Sequence, residues 1–128
     1  MSVYRLRIDR WIPARLNQLM MGWQTAYRLK KVDRNMVCGY CLANRFPIAQ
    51  GPREVNLFIT LAPKQRAPDP DSLWKSTLDA LVHARMLIDD NRQYCRPGTV
   101  EFERGKERGT VIELVDLYRS EGMDETIR

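Results

Sequence analysis

Residues 55 to 61, VNLFITL, constrain the fold of this chain more than any other stretch. β-Branched and aromatic side chains dominate it and no charge interrupts it, so it reads as a strand that needs apolar cover. The loop APKQRAPDP follows at once. Its three prolines can continue neither a strand nor a helix interior. Ser72 to about Ala84 then reads as a helix, with Leu73, Leu81 and Val82 facing inward and Leu78 offset.

The flanking sequence fills in the remaining elements. Val3 to Ile8, VYRLRI, alternates apolar and charged residues and reads as a short strand with one wet face. Pro13 breaks it. Leu16, Met20, Trp23 and Tyr27 then fall at helical spacing. The pattern weakens at RLKKVDR and resumes with Met36, Val37, Tyr40 and Cys41, while Gly39 and Asp33 to Asn35 leave one unbroken helix open. PIAQGPRE is a loop. Val100 to Arg104 and Thr110 to Tyr118 flank GKERG, which reads as a hairpin turn. The order is roughly β-α-β-α-β-β, which predicts an α+β domain: a small mixed sheet with helices on at least one face. Residues 1–120 are expected to form it, with 121–128 as a loose tail.

At 128 residues, the chain has room for one core. The N-terminal MSVYRLRIDRW lacks the apolar stretch of a signal peptide, and no segment has the length of a membrane span. A cytoplasmic protein without a membrane partner is therefore expected. Cys38, Cys41 and Cys95 are expected to be thiols. A net charge of +5 and a pI near 9.4 suit an anionic partner such as nucleic acid.

Against that basic background, PDPDSLWKSTLDALVHARMLIDDN collects five aspartates and one lysine. Ordinary causes explain part of it. Asp69 before Pro70 is a good helix start, Asp71 suits the positive end of the helix dipole, and Asp89-Asp90-Asn91 can be a turn. Asp71, Lys75 and Asp79, in steps of four, also make a simple ion-pair ladder. They mark a chemical site only if Asp69 and Asp90 come near. A helix to Ala84 advances ~18 Å, and an extended Arg85 to Asp90 spans ~20 Å. A reversal near Ala84-Arg85 is thus expected to bring Asp90 back to Asp69 and Asp71. Three carboxylates beside one lysine would call for Mg2+, a hard cation that keeps waters and binds substrate phosphate.

The same stretch resembles the core motif of the RusA family of crossover-junction endodeoxyribonucleases, the Holliday junction resolvases. Asp69, Asp71, Leu73, Lys75, Asp79, Ala80, Leu81, Asp89 and Asp90 fall on the motif's positions, and WIPARLNQL keeps Pro13 and Asn17 of an upstream one. The resemblance covers about two dozen residues closely. Ser72 stands where the family commonly has Asn, and Arg85 where a glycine often closes the helix; a reversal at Arg85 must therefore be made differently. The resemblance implies a homodimeric, Mg2+-dependent nuclease that nicks opposed strands of a four-way DNA junction. Asp69, Asp71 and Asp90 would hold the metal, with Asp89 a weaker candidate, and Lys75 would act at the phosphate.

Other features carry less. CGYC at 38–41 is one Cys pair without a second, too little for zinc even with Cys95 and His83. Trp11, Trp23 and Trp74 read as core, and Trp74 draws notice only as the neighbour of Lys75. RLKK with Arg34, and Arg53, read as solvated surface. Lys64 and Arg66, just before Asp69, are the first choice for phosphate contacts; Arg104, Lys106 and Arg108 are the second. The apolar run from Leu16 to Tyr27, with Met20, Met21 and Trp23, can bury against a second subunit as readily as inside one chain. Two rivals remain: a catalytically silent DNA-structure-binding protein of the same fold, and an aspartyl phosphotransferase. The second wants a larger parallel sheet than this length allows.

Overall fold

The computed structural model describes residues 2–117. The predicted tail and the predicted strand end at Tyr118 lie outside these. Four strands, β1 (Val3–Asp9), β2 (Arg53–Leu61), β3 (Cys95–Arg104) and β4 (Gly109–Asp116), form one mixed sheet in the order β1-β4-β2-β3. Among the described residues three helices accompany it: α1 (Leu16–Leu19), α2 (Trp23–Ala43) and α3 (Trp74–His83), the last preceded by a 3-10 turn, Pro70–Leu73. This is the α+β arrangement expected from the sequence, and the element order matches roughly: the helical spacing from Leu16 is split into α1 and α2 at Met20–Gly22.

Residue alternation decides which face the helices cover. Leu6, Ile112 and Leu57 stand side by side across the sheet, as do Ile8, Thr110 and Ile59, and all are buried. They share one core with Val37 and Cys41 of α2 and with Leu78, Ala80 and Leu81 of α3. The opposite face carries polar pairs instead. Arg5 meets Glu113 at 2.9 Å and Arg96 meets Glu54 at 2.8 Å. Asn56 amide and Arg96 guanidinium bonds hold the Glu54 carboxyl below its ordinary range.

The predicted hairpin is corrected. The chain does reverse at residues 105–108, but β3 and β4 do not pair with each other. Each pairs with β2, parallel for β3 and antiparallel for β4. The four residues step across the end of β2, where the Gly105 amide donates to the Leu61 carbonyl. The most apolar strand thereby gains a hydrogen-bonded neighbour on both edges and apolar cover below, which a β3–β4 hairpin would deny it. β3 also begins at Cys95 rather than Val100. Its glycine is required there: a Cβ on Gly98 would lie 2.0 Å from Asn56 Oδ1, the atom that accepts from the Thr99 amide.

α2 is one continuous helix through both Asp33–Asn35 and Gly39. Asp33 does not break it, because Asp33 is used inside the fold. Its carboxylate accepts from the Trp11 indole at 2.9 Å, the Ala14 amide at 2.8 Å and the Ser76 hydroxyl at 2.6 Å. One buried side chain thus ties the segment after β1 to α2 and to the first turn of α3. At the other end of the sheet Arg53 has the same role. Its guanidinium reaches Asp116 at 2.8 Å and the carbonyls of Met86 and Pro47, and lies over the Tyr4 ring. Arg53 is therefore core, correcting its reading as solvated surface.

α3 ends as the glycine pattern would have it, but without the glycine. Arg85 itself is left-handed, with φ 65°. The Met86 amide bonds the Leu81 carbonyl and the Arg85 amide that of Val82, the paired bonds of a Schellman stop. No different reversal is made at Arg85.

Candidate functional site

Asp33 and Arg53 anchor the two ends of α3, and so the placement of the acidic candidates around it. β2 leads through the proline loop into α3, which runs back to the end where β2 and β3 begin. The start of α3 is held near Trp11 and Ala14, which follow β1; its end is held near Ala49 and Arg53, since Ala49 donates to the Arg85 carbonyl and Arg53 to that of Met86.

At the start of α3 the sequence makes an acidic turn. Asp69 is the cap: its Oδ1 accepts from the Asp71 amide at 3.1 Å, and Pro70 supplies the first helical position. Ser72 donates to the Asp69 carbonyl, so in this chain it closes the turn. Asp69, Asp71 and Lys75 are all exposed. Among the described residues, Lys75 forms no ion pair and the Asp71 carboxylate accepts no hydrogen bond. The Asp71–Lys75–Asp79 ladder that the spacing allows is not formed: Lys75 pairs with neither acid, and Asp79 turns to α2 and pairs with Arg34 at 2.8 Å. That pairing raises the Arg34 pKa.

Beside the acidic turn lies a cavity of about 320 Å³ that brings together Arg15, Arg66 and Arg108. Arg66 and Arg108 come from the two basic segments singled out in the sequence. Arg15 was missed, and only its place in WIPARLNQL hinted at it. Lys64 and Lys106 are exposed nearby in sequence. Arg104 is engaged elsewhere. Its guanidinium donates to the carbonyls of Ala62, Pro63 and Gln65, clasping the loop that leads to Asp69.

Asp89 and Asp90 stand at the other end of α3. The return leg expected after Arg85 is not made, because Met86 and Leu87 are drawn into the core. Asp89 accepts from the Asp90 amide, and the Asn91 carbonyl accepts from the amides of Tyr94 and Cys95, so the chain feeds straight into β3. Burial, and then the nearby Asp90 charge, push the Cys95 thiol up to about 11. In one chain α3, about 15 Å long, therefore lies between Asp90 and the Asp69–Asp71 turn. Among the described residues no three His, Cys, Asp or Glu side chains form a group able to hold a metal. Asp69 and Asp71 are hard oxygen donors at one exposed turn, the kind of ligand of which Mg2+ generally takes one or two while keeping several waters.

The remaining candidates resolve as packing or surface. Cys38 and Cys41 sit one turn apart on α2, and burial raises the Cys41 thiol to about 12. Trp11 is core and Trp74 packs against it, but Trp23 is 77% exposed, with Met20, Met21 and Tyr27 also outward. No helix among the described residues is long and apolar enough to cross a membrane. The sequence matches no family model and none of the curated proteins it was compared with.

Proposed function

We propose that this chain is a RusA-type endonuclease that cuts four-way DNA junctions with Mg2+. The observation that carries the reading is the exposed Asp69–Asp71 turn with Lys75 one helical turn further on, set beside the cavity of Arg15, Arg66 and Arg108. Carboxylates alone repel a polyanion; three arginines alongside attract it. Asp69 and Asp71 would hold the metal, which when bound supplies an activated water and charge neutralisation at phosphorus. Lys75 offers its ammonium to a phosphate oxygen as negative charge grows there. Arg15, Arg66 and Arg108 hold the backbone on either side without reading sequence.

Asp90, with Asp89, enters this scheme through a second copy. A junction needs two cuts related by a two-fold axis, which a C2 dimer provides. Leu16, Met20 and Met21 offer outward apolar surface for such an interface. Cleavage of a synthetic four-way junction, against linear duplex and with or without Mg2+, tests the reading. Binding without cutting would leave the silent DNA-structure-binding protein. Mixing Asp71→Asn with Asp90→Asn chains tests the shared site. A mixed dimer regains one intact site, and hence nicking, only if the two aspartates act across the interface.

A further inference from the structure

The N-terminal half of α2 extends past the core. Its first fully buried position is Asp33. Along this stretch and just past Asp33, Trp23, Tyr27, Lys30, Lys31 and Arg34 recur at steps of three and four and share one stripe of the helix. Across from them stands His83 at the end of α3, and together they line a groove of about 630 Å³. Trp23 and Tyr27 are 77% and 64% exposed, the reverse of what buried aromatic packing would give. Among the described residues, no carboxylate lines the groove. Arg34 is tied to Asp79, so Lys30 and Lys31 are the groove's cations without an ion-pair partner among the described residues.

We propose that this groove binds an unpaired stretch of nucleic acid, with bases stacked on Trp23 and Tyr27 and phosphates at Lys30 and Lys31. Charge and ring geometry select that occupant. Neighbouring aromatics one helical turn apart, about 6 Å along the axis, match one extended nucleotide. Stacking needs an open base face, which a continuous duplex keeps covered. A second copy fits less well, since a two-fold contact would set this patch, with its lysines and no carboxylate among the described residues, against the same patch. The site is separate from the acidic turn and from the Arg15–Arg66–Arg108 cavity. It rests on the nuclease reading only for the class of partner, and it gives a junction-cutting protein a hold on strands opened at the branch point.

The test is binding of oligothymidylate to the full chain in EDTA, followed by tryptophan fluorescence and by anisotropy of a labelled strand. The expected result is quenching that Trp23→Ala abolishes, with affinity falling roughly ten-fold for Trp23→Ala or Tyr27→Ala. Trp23→Tyr should restore most of the affinity. Lys30→Gln and Lys31→Gln should each lower the slope of log affinity against log salt by about 0.7. Affinity within two-fold of the parent for both alanine variants overturns the proposal. So does a mononucleotide that binds as tightly as the oligonucleotide, or a Trp23→Ala change in sedimenting mass with unchanged affinity, which would assign the stripe to a subunit contact. Junction cutting in Mg2+ is scored separately. Quenching without cutting keeps the groove and removes the nuclease reading; cutting without quenching removes the groove alone.

Discussion

Asp33 lies 3% exposed in the middle of α2, with donors from an indole, a backbone amide and a hydroxyl on its two oxygens. Asp71 lies exposed at the opening of α3, and its carboxylate accepts nothing among the described residues. Both belong to the same corner of the molecule, since Ser76, which donates to Asp33, is five residues after Asp71. Arg53 and Lys75 repeat the contrast among cations: one buried with a partner on each guanidinium nitrogen, the other exposed and without an ion pair among the described residues. A charged side chain that the fold has saturated cannot serve a substrate, whereas one left unsaturated contributes little to stability. Stability and activity should therefore fail on different residues.

The largest expected effect falls on the saturated side. Asp33→Ala strands three buried donors, so it should cost about 3–5 kcal/mol, much of the stability of a domain this size. Urea unfolding measures it. A loss under ~1 kcal/mol would mean that water replaces the carboxylate and that the clasp is not structural. Next, Asp71→Asn should leave the urea midpoint unchanged while slowing junction cutting by about a hundred-fold or more, with junction binding intact or tighter. Near-normal turnover would remove Asp71 from the site. Lys75→Ala should slow cutting by roughly ten- to a hundred-fold with a smaller change in junction affinity. If affinity fell in step with rate, Lys75 would be an ordinary phosphate contact.

How much of this contrast the sequence displays depends on the kind of signal. The strand at VNLFITL, the proline loop and the cap at Asp69-Pro70 are local, and the structure has them where the pattern puts them. Partner choice is not local. GKERG announces a reversal, but nothing in it says that β2 lies between the two strands it joins. Asp33 looks like a helix-weakening polar residue in sequence, because its donors come from residues 19 and 43 positions away. Asp79 fits an intrahelical ladder equally well until α2 brings Arg34 to it. The return of Asp90 is sound as chain length but ignores that Met86 and Leu87 are apolar and go to the core first. The outward Trp23 shows the same limit, since periodicity gives a face but not what covers it.

The smallest expected effect tests the one place where a local rule and this chain disagree. Arg85 is left-handed at the C-terminal stop of α3, a conformation that costs a residue with a Cβ about 1 kcal/mol or more and costs glycine almost nothing. The Arg85 side chain is exposed and forms no hydrogen bond or ion pair among the described residues. Both Schellman bonds run through backbone atoms, and they survive the substitution. Arg85→Gly should therefore stabilise the fold by about 0.5–1 kcal/mol, the strain relieved exceeding the added freedom of the unfolded chain. The readout is a higher urea midpoint at unchanged slope. Arg85 lies between the end of α3 and the Asp89-Asp90 turn, so the same variant also asks whether its charge matters. A gain in stability with unaltered junction affinity puts Arg85 on the structural side of the contrast. A loss of affinity at low salt that vanishes at high salt would move it to the side of Arg15, Arg66 and Arg108.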